Sequence, residues 1–386
     1  MAASYDVIVL GVGSMGSAAV YQLARRGFRV LGLDQFAVPH DRGSHGGQSR
    51  IIRKAYFEHP DYVPLLERSY HAWSELESET GTRLYTETGL LYAGSSESIL
   101  IQGVLASAEQ YCIPVQRISP AEAGRTYPAF HIPDGYEVVL EPEAGLLKPE
   151  AAIQTLLNRA VELGATIKTG VQASGWSRVS DGVEVSTNEG KFRAARLIVT
   201  AGSWAGNLVS LLKPSLKVTR QVVCWLRTRQ PEIFAPGKFP CWLFDEAETG
   251  NVFYGFPQLD PKQYPGPEGL KFAQHNPGRT TDPDTVDPGD LSQELELLHR
   301  SARNLFPNQI DGIQEVKTCL YTYSPDEHFM IDLLPEHDQR VVVAAGFSGH
   351  GFKFVPVIGE ILADLTINGS TVQPAGFLGL RNRLLK

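Results

Sequence analysis

Tyr5-Asp6-Val7-Ile8-Val9-Leu10-Gly11-Val12-Gly13-Ser14-Met15-Gly16 opens the chain with a short apolar run, rich in β-branched residues, and then a G-x-G-x-x-G turn. Residues 14–26 read as a helix, with Ala18, Ala19, Leu23 and Ala24 as its packing positions and Gly27 as its stop. Phe28 to Leu33 reads as the next strand, and Asp34 stands at its end. In that setting Gly11 permits the tight turn, Gly13 lets the backbone approach a pyrophosphate, and Gly16 lets helix and strand pack closely. The phosphate charge would lie at the helix N-terminus, where unpaired N–H groups point outward. Asp34 would accept hydrogen bonds from a ribose diol and would disfavour a 2′-phosphate. The unit predicts dinucleotide binding, the alternative being a glycine-rich turn of some other α/β protein. The motif does not by itself separate FAD from NAD.

Working outward, Pro39 to Ser49 is a polar, glycine-rich loop containing His40, Asp41, Arg42 and His45, placed where such loops touch a ligand. Arg50 and Arg53 follow. They can aim two guanidinium groups at one pocket, or they can be ordinary surface arginines. Residues 61–80 have helical character, with Leu65, Leu66, Trp73 and Leu76 as buried positions. Further helices are expected at about 95–111 and at 150–163, the latter opened by Pro149 and ended by Gly164. Residues 165–200 alternate like strands joined by hairpin turns at Asp181-Gly182 and Asn188-Glu189-Gly190. Arg196 to Thr200 reads as a buried strand delivering Ala201-Gly202 to a turn.

Between about 218 and 318 the strands become aromatic, as at Val222 to Leu226 and Val252 to Phe256. The Pro/Gly-rich loop 257–269 and the polar stretch 276–290 interrupt them, and a helix is expected at 291–304. Arg340 to Ala345, the glycine loop Gly346 to Gly351 and the apolar helix 355–367 repeat the strand–loop–helix theme. The expected fold class is α/β with an α+β catalytic domain, that is, a Rossmann-like nucleotide-binding domain plus a large mixed-sheet substrate domain. The nucleotide domain would be discontinuous (1–84, 150–217 and 319–386), and the substrate domain would take 85–149 and 218–318.

With 386 residues, 42% hydrophobic and 20% charged, the chain can bury a large core. A net charge of -8 argues against a general nucleic-acid surface. Cys112, Cys224, Cys241 and Cys319 are widely spaced and form no C-x-x-C pair, so neither a disulfide framework nor a zinc site is expected. No apolar run reaches membrane-spanning length and no basic leader precedes the first strand, so the expectation is a cytoplasmic protein without a membrane partner. A G-x-S-x-G elbow and a compact metal-ligand motif are both missing.

With GVGSMG at the N-terminus, RGSHGGQSRIIRKAY at 42–56, YGFP at 254–257, CLYT at 319–322, SPDEHFMID at 324–332 and GFSGHGFKF at 346–354, the chain resembles the monomeric sarcosine oxidase family of flavin-dependent amine oxidases, which also contains N-methyltryptophan, pipecolate and fructosyl amino acid oxidases. The resemblance implies FAD, a catalytic sheet facing the flavin ring, and a thioether from Cys319 to the flavin. It implies that Arg53 and Lys353 clamp the substrate carboxylate, and that Arg50 and Lys271 lie near the flavin, Lys271 promoting the reaction with oxygen. Tyr254, His275 and Tyr321 would surround the substrate amine. Motif and resemblance together give the expected FAD contacts: Gly11, Gly13, Ser14, Met15, Gly16, Asp34, Gln35, Arg42, Ser44, His45, Ser49, Arg50, Val171, Ala201, Gly202, Trp204, Cys319, Gly346, Gly349, Gly351 and Lys353. The implied reaction oxidises a small amino acid to an imine and reduces O2 to hydrogen peroxide in a monomeric enzyme, and needs no metal.

One departure is informative. Sarcosine and N-methyltryptophan oxidases carry paired histidines followed by Gly-Asp-Thr-Arg, whereas this chain has His45-Gly46-Gly47-Gln48-Ser49-Arg50. The run looks more like the pipecolate oxidase branch, and loss of the second ring is expected to enlarge the pocket or retune the flavin. The implied substrate is therefore a secondary amino acid: sarcosine, another N-methyl amino acid, or a cyclic one such as pipecolate. A fructosyl amino acid oxidase and a flavin dehydrogenase using another acceptor stay open, as do, more remotely, a nicotinamide-dependent reductase and a noncatalytic flavoprotein.

Overall fold

The computed structural model describes residues 5–275, 277–286, 289–337, 339–380 and 383. Parts of the expected polar stretch 276–290 thus lie outside the described residues. The opening strand, Tyr5–Leu10, is the centre of an eight-stranded sheet. It pairs in parallel with Val30–Asp34 on one side and with Gly190–Val199 on the other. Thr166–Thr169 extends the sheet beyond Val30–Asp34, and Val341–Ala345 lies beside Gly190–Val199, again parallel. Within these five parallel strands, burial of Val7–Leu10 and Val341–Ala345 on both faces explains the near-continuous apolar runs at 6–10 and 341–345. Gly190–Val199 is unusually long: its first half pairs antiparallel with Gly182–Thr187 and its second half joins the parallel core.

Helix Ser14–Arg25 packs against Val355–Asn368 and Pro149–Glu162 on this sheet. The approach is close enough that a Cβ at Gly359 would stand 2.7 Å from that of Ala18. The expected helix at 61–80 is Val63–Thr80, and Leu65, Leu66, Trp73 and Leu76 are all buried on it.

The second sheet has nine strands. Lys217–Thr228 lies between Ile310–Tyr323 and Leu270–Gln274, and Asn251–Gly255, Cys241–Glu246, Leu90–Gly94, Glu137–Glu141 and Gln116–Ile118 continue the order. A small third sheet joins Arg50–Ile52 and Tyr85–Glu87 to Gly145–Leu147. Strict alternation sorts the side chains of the large sheet. Cys224, Leu226, Leu270 and Phe272 face an apolar core covered by helix Ser292–Leu305. Val223, Trp225, Ala273, Cys319, Tyr321 and Tyr323 form a separate cluster on the opposite face, with Tyr254 against it. The strands at 90–94 and 137–141 are not foreseen in the sequence, because Leu90–Gly94 is buried at every position and shows no alternation. The architecture is a Rossmann-like sheet joined to a sheet-rich unit, a mixed α/β fold.

Candidate active site

A cavity of about 340 Å³ runs from the first glycine turn to the loop before helix Val355–Asn368, a size within the range of ligand pockets. Its nucleotide end is built from local sequence. Gly11 has φ +87°, and a Cβ at Gly16 would sit 1.8 Å from the Gly11 carbonyl oxygen, so both positions demand glycine. Helix Ser14–Arg25 has no side-chain cap at its N-terminus, which leaves first-turn N–H groups for an anion. Asp34 Oδ2 accepts from Val12 N–H and Oδ1 from Phe36 N–H, both at 3.0 Å. Burial pushes its pKa upward, while those donors and His40 pull the other way. An open glycine cradle, free helix N–H groups and a lone acidic acceptor at the second strand fit the pyrophosphate and ribose of a dinucleotide.

Most expected cofactor residues line this cavity: Gly11, Gly13, Ser14 and Met15; Asp34 and Gln35; Ser44, His45 and Arg50; Val171, Ala201, Gly202 and Trp204; and Gly346, Gly349, Gly351 and Lys353. Gly16, Arg42, Ser49, Lys271 and Cys319 are not among the lining residues. Gly16 acts through its contact with Gly11, and Arg42 lies over the Phe36 ring. The other three are grouped around the 43–50 loop. Lys271 Nζ donates to Gly47 O (2.5 Å), Ser49 O (2.8 Å) and Ser49 Oγ (3.3 Å). Burial and neighbouring Arg50 push its pKa well below the ordinary lysine value, against three acceptors that suit the ammonium form. Cys319 is buried near the same two cations, Arg50 and Lys271, which pull its thiol down while burial pushes it up further. Ser44 Oγ donates to Leu320 O at 2.5 Å, tying the 43–50 loop to the Cys319 strand.

At the far end of the cavity Arg53 and Lys353 come together from distant parts of the chain. Arg53 is 3% exposed and rests over the Tyr56 and Phe57 rings, 4.3 and 4.6 Å from their centroids. Its Nη2 reaches both oxygens of Glu58 at 2.6 Å. Burial alone would raise the Glu58 carboxyl, but Arg53 holds it down at about 2. Lys353 Nζ donates to His350 O at 2.7 Å, and burial with nearby Arg53 lowers its pKa to about 7. The His350 ring is fixed by Tyr56 Oη at Nδ1 (2.5 Å) and by Glu327 O at Nε2 (3.1 Å), and burial lowers it to about 3, so it is neutral. Tyr254 Oη and Tyr321 Oη lie 3.5 Å apart, and the His275 ring sits 6.2 Å from the first ring and 6.5 Å from the second. Burial lowers His275 to about 4. A Cβ on Gly349, at φ +83°, would enter the Tyr321 ring at 2.4 Å, so only glycine lets that loop close over the tyrosine.

Gly46 does not line the cavity, and a Cβ there would stand 3.1 Å from Asp41 Cα. In this structure the glycine relieves backbone crowding inside the 40–46 loop. Several residues escaped the sequence reading. Gln48, at φ +73°, donates to Tyr264 O and Pro267 O and accepts from Trp225 Nε1. Glu150 Oε1 receives the Gly47 and Gln48 N–H groups at 2.8 and 3.0 Å. These contacts, with Arg50 donating to Ser44 O, Gly46 O and Ser49 O, shape the loop over Lys271. The only local signal was the polar Gln-Ser-Arg run before the expected arginine.

A dinucleotide cradle that continues into a small chamber with two buried cations and an aromatic wall defines a nucleotide-cofactor enzyme working on a small organic molecule. Residues 6–365 match the FAD dependent oxidoreductase family. Monomeric sarcosine oxidase of Streptomyces avermitilis is 40% identical over 384 residues, covering 99% of this chain and 98% of that protein. N-methyl-L-tryptophan oxidase of Yersinia pestis is 35% identical over 363 residues, covering 93% and 94%. Among solved structures NikD, an unusual amino acid oxidase essential for nikkomycin biosynthesis, is similar with a TM-score of 0.84 and 26% identity, covering 97% of each chain. The chain belongs to the FAD-dependent oxidoreductase family and, within it, to the monomeric sarcosine oxidase family of amine oxidases. It is a flavin-dependent oxidoreductase of amine substrates, with FAD as the dinucleotide. Among the described residues no helix is long and apolar enough to cross a membrane, and no group of three or more His, Cys, Asp or Glu side chains is placed to hold a metal ion.

Proposed function

We propose that the protein oxidises the carbon–nitrogen bond of a secondary amino acid to an imine and passes the electrons to O2, forming hydrogen peroxide. The substrate is sarcosine, another N-methyl amino acid, or a cyclic amino acid such as pipecolate. The observation that carries this reading is the buried Arg53 and Lys353 pair on a cavity that also holds Tyr254, Tyr321 and His275. Two cations bind a carboxylate in place of the water it gives up. The tyrosine hydroxyls and a neutral His275 then orient an amine that must be unprotonated to react. Bound FAD supplies the two-electron acceptor. Gly11, Gly13 and Asp34 hold its nucleotide portion, while Arg50 and Lys271 set a positive field beneath the 44–50 loop. The nucleotide unit is taken as 1–84, 150–217 and 319–386, the substrate unit as 85–149 and 218–318, and the working enzyme as a cytoplasmic monomer.

The test is anaerobic addition of sarcosine, N-methyl amino acids, proline, pipecolate and fructosyl amino acids to purified protein, followed by visible spectroscopy. One compound is expected to bleach the yellow colour rapidly, and air to restore it with peroxide formed. If no amine-bearing carboxylate bleaches it, the reading fails.

Cys319 is the proposed point of covalent FAD attachment. Burial pushes its thiol up, Arg50 and Lys271 beside it offset part of that rise, and the Ser44–Leu320 contact ties its strand to the ligand-facing loop. Acid-precipitated native protein is expected to keep its flavin in the pellet, and Cys319→Ser protein to release all of it. Complete release from the native protein would exclude the linkage.

A further inference from the structure

The chain around Arg53 is held from beneath by a carboxylate that the mechanism leaves unused. Glu141, at the end of strand Glu137–Glu141, is fully buried and does not line the cavity. Its Oε1 accepts from Lys54 N–H at 2.6 Å, and its Oε2 from Ala55 N–H at 3.3 Å and from the Tyr92 hydroxyl at 2.7 Å. On the other side of Ala55 the carbonyl accepts from Arg53 Nη1 at 3.0 Å, with Tyr92 Oη 3.2 Å away. Both peptide groups flanking the Arg53 support are thus pinned by one carboxylate and one hydroxyl.

Burial pushes the Glu141 carboxyl up, while its three donors and the Arg53 guanidinium pull it back. A buried carboxylate is costly unless its surroundings compensate for it. Here the compensation is the set of donors on residues 54 and 55 and on Tyr92, which ties this carboxyl to the backbone beside Arg53. We infer that Glu141, with Tyr92, is a positioning residue: it fixes residues 54 and 55 so that Arg53 meets the substrate carboxylate. It thereby sets carboxylate affinity without touching the substrate. The inference rests on the reading of Arg53 as the carboxylate clamp.

The test is a double-mutant cycle on the FAD-loaded protein, with acetate as the probe and its Kd read from the change in flavin absorption. Glu141→Gln sets an amide against three donors, and is expected to raise the acetate Kd by at least about tenfold in the native background. In an Arg53→Met background the same change is expected to have less than about a twofold effect, since no guanidinium remains to be positioned. Tyr92→Phe removes only the hydroxyl and is expected to give about a threefold rise with the same dependence on Arg53, which keeps the test decisive if Glu141→Gln does not fold. Equal effects in both backgrounds, or none in the native one, would overturn the inference. If the native protein does not bind acetate, or Arg53→Met leaves its Kd unchanged, the clamp reading itself falls and takes this inference with it. A normal response to Arg53→Met with no response to Glu141→Gln or Tyr92→Phe sinks the positioning role alone.

Discussion

Lys271→Met protein, reduced by substrate without air, is expected to react with O2 about two orders of magnitude more slowly than the native protein, while its anaerobic reduction changes little. The first electron accepted by O2 creates a negative charge in a site with little water. At an effective dielectric near 20 a fixed unit charge about 6 Å away is worth roughly 3 kcal/mol, which is about a hundredfold in rate. Lys271 supplies such a charge in its ammonium form, which burial disfavours and its three acceptors favour. Strand alternation points it away from the Leu270 and Phe272 core, and the 47–49 carbonyls hold its ammonium above the Phe256 ring, 4.7 Å from the centroid. Removing the side chain also takes one donor from each of those carbonyls, leaving Gly47 O with Ser49 N–H and Ser49 O with Arg50 Nη1. Lys271→Gln keeps a donor and drops the charge, so it separates the two effects. Reoxidation as slow as in Lys271→Met assigns the effect to charge; native reoxidation in Lys271→Gln would remove Lys271 from the oxygen step. Stopped-flow absorbance after mixing with air-saturated buffer reads both.

What was legible in the sequence follows from distance along the chain. The nucleotide cradle was readable because strand, turn, helix and acid lie within 34 residues and each has its own local signal. Arg53 and Lys353 carry no spacing signal: only the closure of the 346–351 loop beside the 53–58 segment brings them together, and the family likeness alone pointed to them. Glu58, Glu141 and Glu150 were missed for a different reason. An isolated glutamate reads as solvated surface, and what holds each of these in place is a partner that no local pattern marks: Arg53 for Glu58, and the Gly47 and Gln48 N–H groups for Glu150. Glu141 draws its donors from Tyr92 and from residues 54–55, all remote in sequence. The crowding of the Gly46 backbone against Asp41 was hidden for a related reason: it is a property of the folded loop.

Arg53→Met is expected to lower kcat/KM by about 10²- to 10³-fold, close to the 2–5 kcal/mol cost of breaking a buried charge pair. Part of that loss comes from Glu58 and not from the clamp. Glu58 is held ionised at about 2 mainly by Arg53. Without the guanidinium, a buried carboxylate would face the incoming substrate carboxylate and repel it. Adding Glu58→Gln to Arg53→Met is therefore expected to recover about tenfold of the loss; no recovery would show that Glu58 does not face the substrate carboxylate. Lys353 supplies the second half of the clamp and makes it pH-dependent. Its pKa is lowered to about 7, chiefly by burial, so the free protein carries the charge below that pH and loses it above. An anion binds the protonated form more tightly, so acetate affinity is expected to be flat below about pH 7 and to fall towards a weaker Arg53-only plateau above it. Acetate itself stays anionic over this range, and neither His275 at about 4 nor His350 at about 3 titrates within it. In Lys353→Met protein the affinity is expected to sit at the weaker plateau from about pH 6 to pH 9. A pH dependence that survives Lys353→Met would assign the titration to another group and leave Arg53 as the carboxylate's sole charged partner.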